Sequence, residues 1–131
     1  MTSIFGPIFW TAIHLVSFNY PPCPSPEQKR AYRRWLLATG DVLPCRFCRD
    51  NFAANLERAG LCDAVFESRD SLSRFCHRLH DVVNEMLGKP ASAAPTFEEV
   101  RDRHEAFRAG CGAAQALAPG VERGCVAPLY E

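Results

Sequence analysis

The sequence predicts an all-α fold: a four-helix bundle with a short fifth helix and an irregular C-terminal tail. Two capping signatures, "SPEQ" and "TFEE", mark helix starts. Apolar residues from Leu72 to Leu87 recur at steps of three and four, the period of a buried helix face. No stretch of useful length alternates as a strand would.

Taken in order, Gly6 to Tyr20 carries a helical pattern that Pro21-Pro22 stops. In "SPEQ", Ser25 is the N-cap, Pro26 takes the first helical position and Gln28 closes a capping box. That helix should run to about Leu43, because Pro44 disfavours helical geometry in the residue before it. A third helix is expected from Pro44 or Cys45 to Ala59, with Gly60 as its stop. A fourth should start near Asp70 or Ser71 and present Leu72, Phe75, Cys76, Leu79, Val83, Met86 and Leu87 before Gly88 and Pro90 end it. In "TFEE", Thr96 and Glu99 repeat the capping box, and a fifth helix should reach Ala109 before Gly110. From Cys111 to Glu131 Gly, Ala and Pro dominate and periodicity is lost. The division is therefore one domain over 1–110 and a cysteine-containing tail over 111–131.

The composition, 47% hydrophobic and 23% charged, is that of a globular chain, and 131 residues suffice for one modest core. Lys plus Arg and Asp plus Glu are both 15, so no basic excess points to nucleic acid or an anionic membrane. No apolar run approaches the roughly 20 residues of a membrane helix. The N-terminus lacks a basic region and His14 interrupts its apolar run, so it is not expected to be a secretory signal. An intracellular setting is the expectation.

Against that setting seven cysteines stand out: Cys23, Cys45, Cys48, Cys62, Cys76, Cys111 and Cys125. Their density points to metal binding or thiol redox chemistry. Cys45-Arg46-Phe47-Cys48 opens a helix, where unpaired backbone N–H groups and the positive dipole end favour a thiolate, with Arg46 and Arg49 adding charge. Three readings of the pair stand: a redox-active disulfide, half of a zinc site completed by Cys76, His77 or His80, or inert buried thiols. Trp10 and His14 are four apart on one helix, and His80 and Asn84 four apart on another. Together they suggest a cofactor cradle, with an aromatic face and polar donors. For any one of them alone, a core position is the simpler reading. His77 and His104 are read as solvated, Cys23 as a free surface thiol, and "KRAYRRW" as a solvated face with Tyr32 and Trp35 turned inward or toward a partner subunit.

"FGPIFWTAIHLVSFNYP", "LPCRFC" and "CHRLHDVVNEMLGKP" together resemble, in order and spacing from about Phe5 to Pro90, the Erv/ALR family of FAD-dependent sulfhydryl oxidases. The short form is similar to the minimal oxidases of large cytoplasmic DNA viruses. Phe5 and Asp81 depart from the family's Trp and Asn, and "ASAAPTF" stands in place of a Phe-Asp-Cys. The resemblance implies that Cys45 exchanges with reduced protein thiols, directly or through a thioredoxin- or glutaredoxin-like relay. Cys48 would face the flavin, and O2 would become H2O2. It implies an FAD site formed by Gly6, Trp10, His14, Tyr20, Cys48, His80, Asp81, Val83, Asn84 and Lys89, no metal, and a homodimer. It places a viral member in the host cytoplasm or virion and a cellular one in the mitochondrial intermembrane space. Cys76 is left free or paired with Cys111, and Cys111 with Cys125 forms a tail staple or a shuttle. The alternative kept beside this reading is a zinc-stabilised helical module using Cys45, Cys48, Cys76 and His80.

Overall fold

A computed structural model describes residues 2–107. Five α-helices follow one another: α1 (Thr2–Phe18), α2 (Pro26–Val42), α3 (Arg46–Arg58), α4 (Arg69–Met86) and α5 (Phe97–Glu105). Among the described residues there is no strand, and no helix is long and apolar enough to cross a membrane. The all-α expectation holds. The tail assigned to 111–131 lies outside the described residues, and the fifth helix ends at Glu105, with Ala106 as its C-cap, short of the expected Ala109.

The helix starts are set by side-chain caps. Ser25 and Gln28 form a reciprocal box at α2, and Thr96 and Glu99 form one at α5. The start of α4 lies earlier than the spacing predicts. Ser68 is its N-cap and exchanges bonds with Ser71, so helical geometry begins at Arg69. The first helix also starts earlier, at Thr2, and carries Pro7 inside it. A proline this near the start removes one helical bond while the following turns continue. It ends at Phe18 rather than Tyr20, because Asn19 and Tyr20 turn the chain away. The Tyr20 hydroxyl then donates to the Phe66 carbonyl at 2.8 Å, and Arg69 Nε donates to the Tyr20 carbonyl at 2.6 Å.

Helix α4 runs through the middle of the molecule, packed against α1, α3 and α5, while α2 packs on α3. Its face Leu72, Phe75, Cys76 and Leu79 is completely buried, together with Tyr20 and Leu36. Each such side chain contributes about 2 kcal/mol of burial. A single 3₁₀ turn at Asp63–Phe66, which the sequence pattern did not reveal, closes the core from below with Val65 and Phe66. Arg33 lies 4.8 Å over the Phe66 ring and pairs with Asp63, tying α2 to that turn. A second 3₁₀ turn at Ala91–Ala93 leads into α5.

Candidate active site

Helix α3 begins at the cysteine pair. Cys45 is its N-cap, with extended geometry (φ −90°, ψ 119°), and its sulfur accepts from the Cys48 backbone N–H at 3.4 Å. The thiol of Cys45 is held below its ordinary value, first by the hydrogen bond from the Cys48 side chain and then by the backbone N–H groups of Cys48 and Phe47. The neighbouring Arg49 cation acts in the same direction, and its guanidinium also donates to the Leu43 carbonyl. Cys48 is shifted the other way, to about 11, by burial and by its hydrogen bond to Cys45. One helical turn therefore separates a thiol shifted down from a thiol shifted up.

Cys48 opens onto a cleft of about 700 Å³. One wall is α1, with Gly6, Phe9, Trp10 and His14; the facing wall is α4, with His80, Val83 and Met86. Phe52, one turn beyond Cys48, and Asn55 line it from α3, and Val100, Arg103 and His104 from α5. Phe52 sits so close to α2 that only a residue without Cβ fits at Gly40, whose added Cβ would overlap the ring.

Three of the polar groups that line this cleft are histidines, His14, His80 and His104. Trp10 stacks on His80 with ring centroids 3.9 Å apart and planes at 8°. His80 Nδ1 lies 3.2 Å from His14 Nε2, so one of the two nitrogens carries the proton between them. His14 is lowered to about 3, chiefly by burial and then by His80 and His104. His80 is lowered to about 4 by burial, then by Lys89 and His77. Both rings are therefore neutral near pH 7. His14 Nδ1 is the one buried side-chain polar atom among the described residues with no hydrogen-bond partner. An unpaired buried nitrogen in a roomy aromatic cleft is suited to the polar edge of a flat heterocyclic ligand.

The structure brings Gly6, Trp10, His14, Cys48, His80, Val83 and Lys89 together around the cleft. Cys45 is half-buried beside it, at the outer end of the pair. Tyr20, Asp81 and Asn84 are not among the lining residues. Tyr20 is fully buried beneath the 3₁₀ turn, and Asp81 faces His77 at 3.4 Å. Asn84 accepts the Lys89 backbone N–H at its carbonyl, 2.9 Å away, and so shapes the turn at Gly88 (φ 71°) that presents Lys89.

Two histidine readings are corrected. His77 is largely buried, with Nε2 donating to the Pro95 carbonyl at 2.9 Å. His104 is buried against Phe18, its Nδ1 donating to the Val100 carbonyl at 2.7 Å. Both look inward because α5 folds back over α1 and α4.

The zinc alternative is not supported. Among the described residues no group of three or more Cys, His, Asp or Glu gathers as a metal site. Cys76 is buried in the core with its thiol pushed up to about 12 by burial, and His80 is stacked on Trp10. Cys23 and Cys62 are exposed free thiols, whereas Cys111 and Cys125 lie outside the described residues.

Sequence reasoning did not reach Phe9, Phe52, Asn55, Met86, Arg103 or His104 as cleft residues. Phe52 was within reach, since it stands four residues after Cys48 on the same helix. Arg103 and His104 depend on how α5 crosses α1, which no local pattern reveals.

The chain is similar in sequence and fold to known proteins. A family model described as the Erv1 / Alr family matches residues 7–103. A protein of Acanthamoeba polyphaga mimivirus, named a probable FAD-linked sulfhydryl oxidase, is 37% identical over 94 residues, covering 72% of this chain and 66% of its own length. The mitochondrial FAD-linked sulfhydryl oxidase ERV1 of Saccharomyces cerevisiae is 31% identical over 81 residues, covering 62% of this chain and 41% of its own. The chain thus spans from less than half to about two thirds of these relatives. The crystal structure of the FAD binding domain of Erv1 from the same yeast superposes with a TM-score of 0.66 at 27% identity, over 76% of this chain and 90% of that one.

Proposed function

The chain belongs to the Erv1 / Alr family, and from that premise we propose that it is an FAD-dependent sulfhydryl oxidase, forming disulfides in protein thiols through Cys45 and Cys48. The observation that carries this reading is one juxtaposition. Cys48, the inner, half-buried member of a helix-capping CxxC pair, opens onto the same aromatic cleft as the unpartnered Nδ1 of His14.

The residues fit a flavin dinucleotide. Trp10 and His80 supply flat faces, His14 an unsatisfied polar nitrogen, and Lys89 and Arg103 cationic groups for phosphate. Gly6 and Val83 complete the walls. The chemistry that bound FAD supplies is a two-electron acceptor beside Cys48, with O2 as the final oxidant and H2O2 as product.

This chain's own residues do the rest. A substrate thiolate attacks Cys45 Sγ of the Cys45–Cys48 disulfide. Cys48 leaves and takes up a proton, which its raised thiol value favours. The second substrate thiol loses its proton and attacks the substrate sulfur of the mixed disulfide, and Cys45 departs as a thiolate. Its lowered thiol value suits that role. The substrate has lost two electrons, the cysteine pair has gained them, and the two protons balance. A homodimer would bury Ile4 and Ile8, the two large apolar side chains that α1 leaves exposed.

Denaturing the purified protein should release FAD. Dithiol-dependent O2 uptake should fall at least about a thousandfold in Cys45→Ser and in Cys48→Ser, because either loss removes the disulfide. A protein that carries no flavin, or a variant that keeps its turnover, would contradict the reading.

A further inference from the structure

We propose that the segment around Cys45 is a docking patch for thiol segments whose cysteine is flanked by apolar side chains, so that Phe47 and Val42 select the substrate. This rests on the oxidase reading of the cysteine pair. Two of the six large apolar side chains exposed on the described residues bracket Cys45 in the chain: Val42, at the end of α2, and Phe47, inside the CxxC. Single exposed apolar residues need no explanation, but two that bracket a reactive thiol do.

The reaction itself says what covers it. In the mixed disulfide the two sulfurs are about 2 Å apart and the two Cα atoms about 4.4–6.8 Å apart. Each residue of an extended substrate adds about 3.5 Å, so its first two neighbours on either side stay within about 14 Å of Cys45. Val42 is three residues before Cys45 and Phe47 two after it, and both satisfy that limit from chain length alone. Val42 is 68% exposed and Phe47 53%. A docked segment therefore passes within reach of both exposed side chains, whatever its direction.

Charge does not compete with this recognition. Arg46 is paired with Asp50 at 3.6 Å, and Arg49 turns back to the Leu43 carbonyl. Asp41, beside Val42, disfavours an acidic flank. Beside these charged groups the edge of the cysteine pair offers the apolar surface of Val42 and Phe47, which gains by being covered.

The test uses the full flavin-loaded chain and two synthetic dithiol peptides of the same cysteine spacing, one flanked by Leu and Phe, the other by Ser and Asn. Wild type should oxidise the apolar peptide with kcat/KM about 10-fold higher, and Phe47→Ser or Val42→Ser should bring that ratio to about 2. Both side chains are exposed, and circular dichroism verifies the fold of each variant. A wild-type ratio near 1, or a ratio unchanged in both variants, overturns the proposal. So does non-reducing peptide mapping that finds Cys45 joined to Cys111 or Cys125, since the chain's own tail would then cover the patch. Failure to oxidise any dithiol, dithiothreitol included, instead removes the oxidase reading beneath it.

Discussion

Trp10 lies flat on His80, with ring centroids 3.9 Å apart and planes at 8°, a contact that links the two walls of the cleft. The stack supplies both apolar area and a face for an aromatic ligand. Trp10→Ala should weaken FAD binding at least about 10-fold, or about 1.4 kcal/mol, while Trp10→Phe keeps most of the affinity. Flavin fluorescence during titration of the stripped protein measures this.

The histidines should make stability depend on pH in a defined window. His14 and His80 are depressed from an ordinary 6.5 to about 3 and about 4. Between those values and 6.5 the unfolded chain binds more protons than the folded one, so stability rises with pH there. It is complete above about pH 6.5 and is lost as pH falls toward the folded values. Each histidine contributes a slope of up to about 1.4 kcal/mol per pH unit. Between pH 6.5 and 5, urea midpoints should fall steadily, and the slope should be shallower in His14→Gln.

Gly40→Ala should destabilise the domain. The new Cβ overlaps the ring of Phe52, which is buried and packed in the core. Overpacking of this kind costs about 1–3 kcal/mol. Because Phe52 also lines the cleft, FAD should be released at a lower temperature, which thermal melts followed by flavin fluorescence detect. Unchanged melts would show that α2 and α3 separate without cost.

The two active-site thiols should differ in reactivity once reduced. Cys45 is shifted down and Cys48 up to about 11. Alkylation depends on the thiolate fraction. Iodoacetamide at pH 7.5 should label Cys45 at least about 10-fold faster than Cys48, and peptide mass mapping over time follows both. Equal rates would remove the division of labour between them.

Much of the helical frame was legible because its determinants are local. Ser25 with Gln28 and Thr96 with Glu99 announce their boxes within four residues, and Leu72 to Leu79 declare one face by spacing alone. The Ser68–Ser71 box escaped because it lacks the Glu or Gln of the usual signature. In the cleft, Trp10, His14, Cys48 and His80 were readable through motifs carried by single helices. His104 was not, since its burial depends on Phe18, 86 positions earlier in the chain. Tyr20 misled for the opposite reason: it stands within a motif that reaches the cleft, yet its hydroxyl is committed to Phe66 on the far side of the core.

The hydrogen bond between His14 and His80 spans 66 residues of chain, and the helices carrying them are the two walls of the cleft. Closing so long a loop carries an entropic cost, and the cleft draws its lining from α1, α3, α4 and α5 together. The cleft therefore exists only when the whole domain does. Flavin uptake during refolding should coincide with the last and slowest phase. A bound dinucleotide would then raise the free energy of global opening by mass action, and the amides deepest in α1 and α4 should exchange slowest with solvent deuterium.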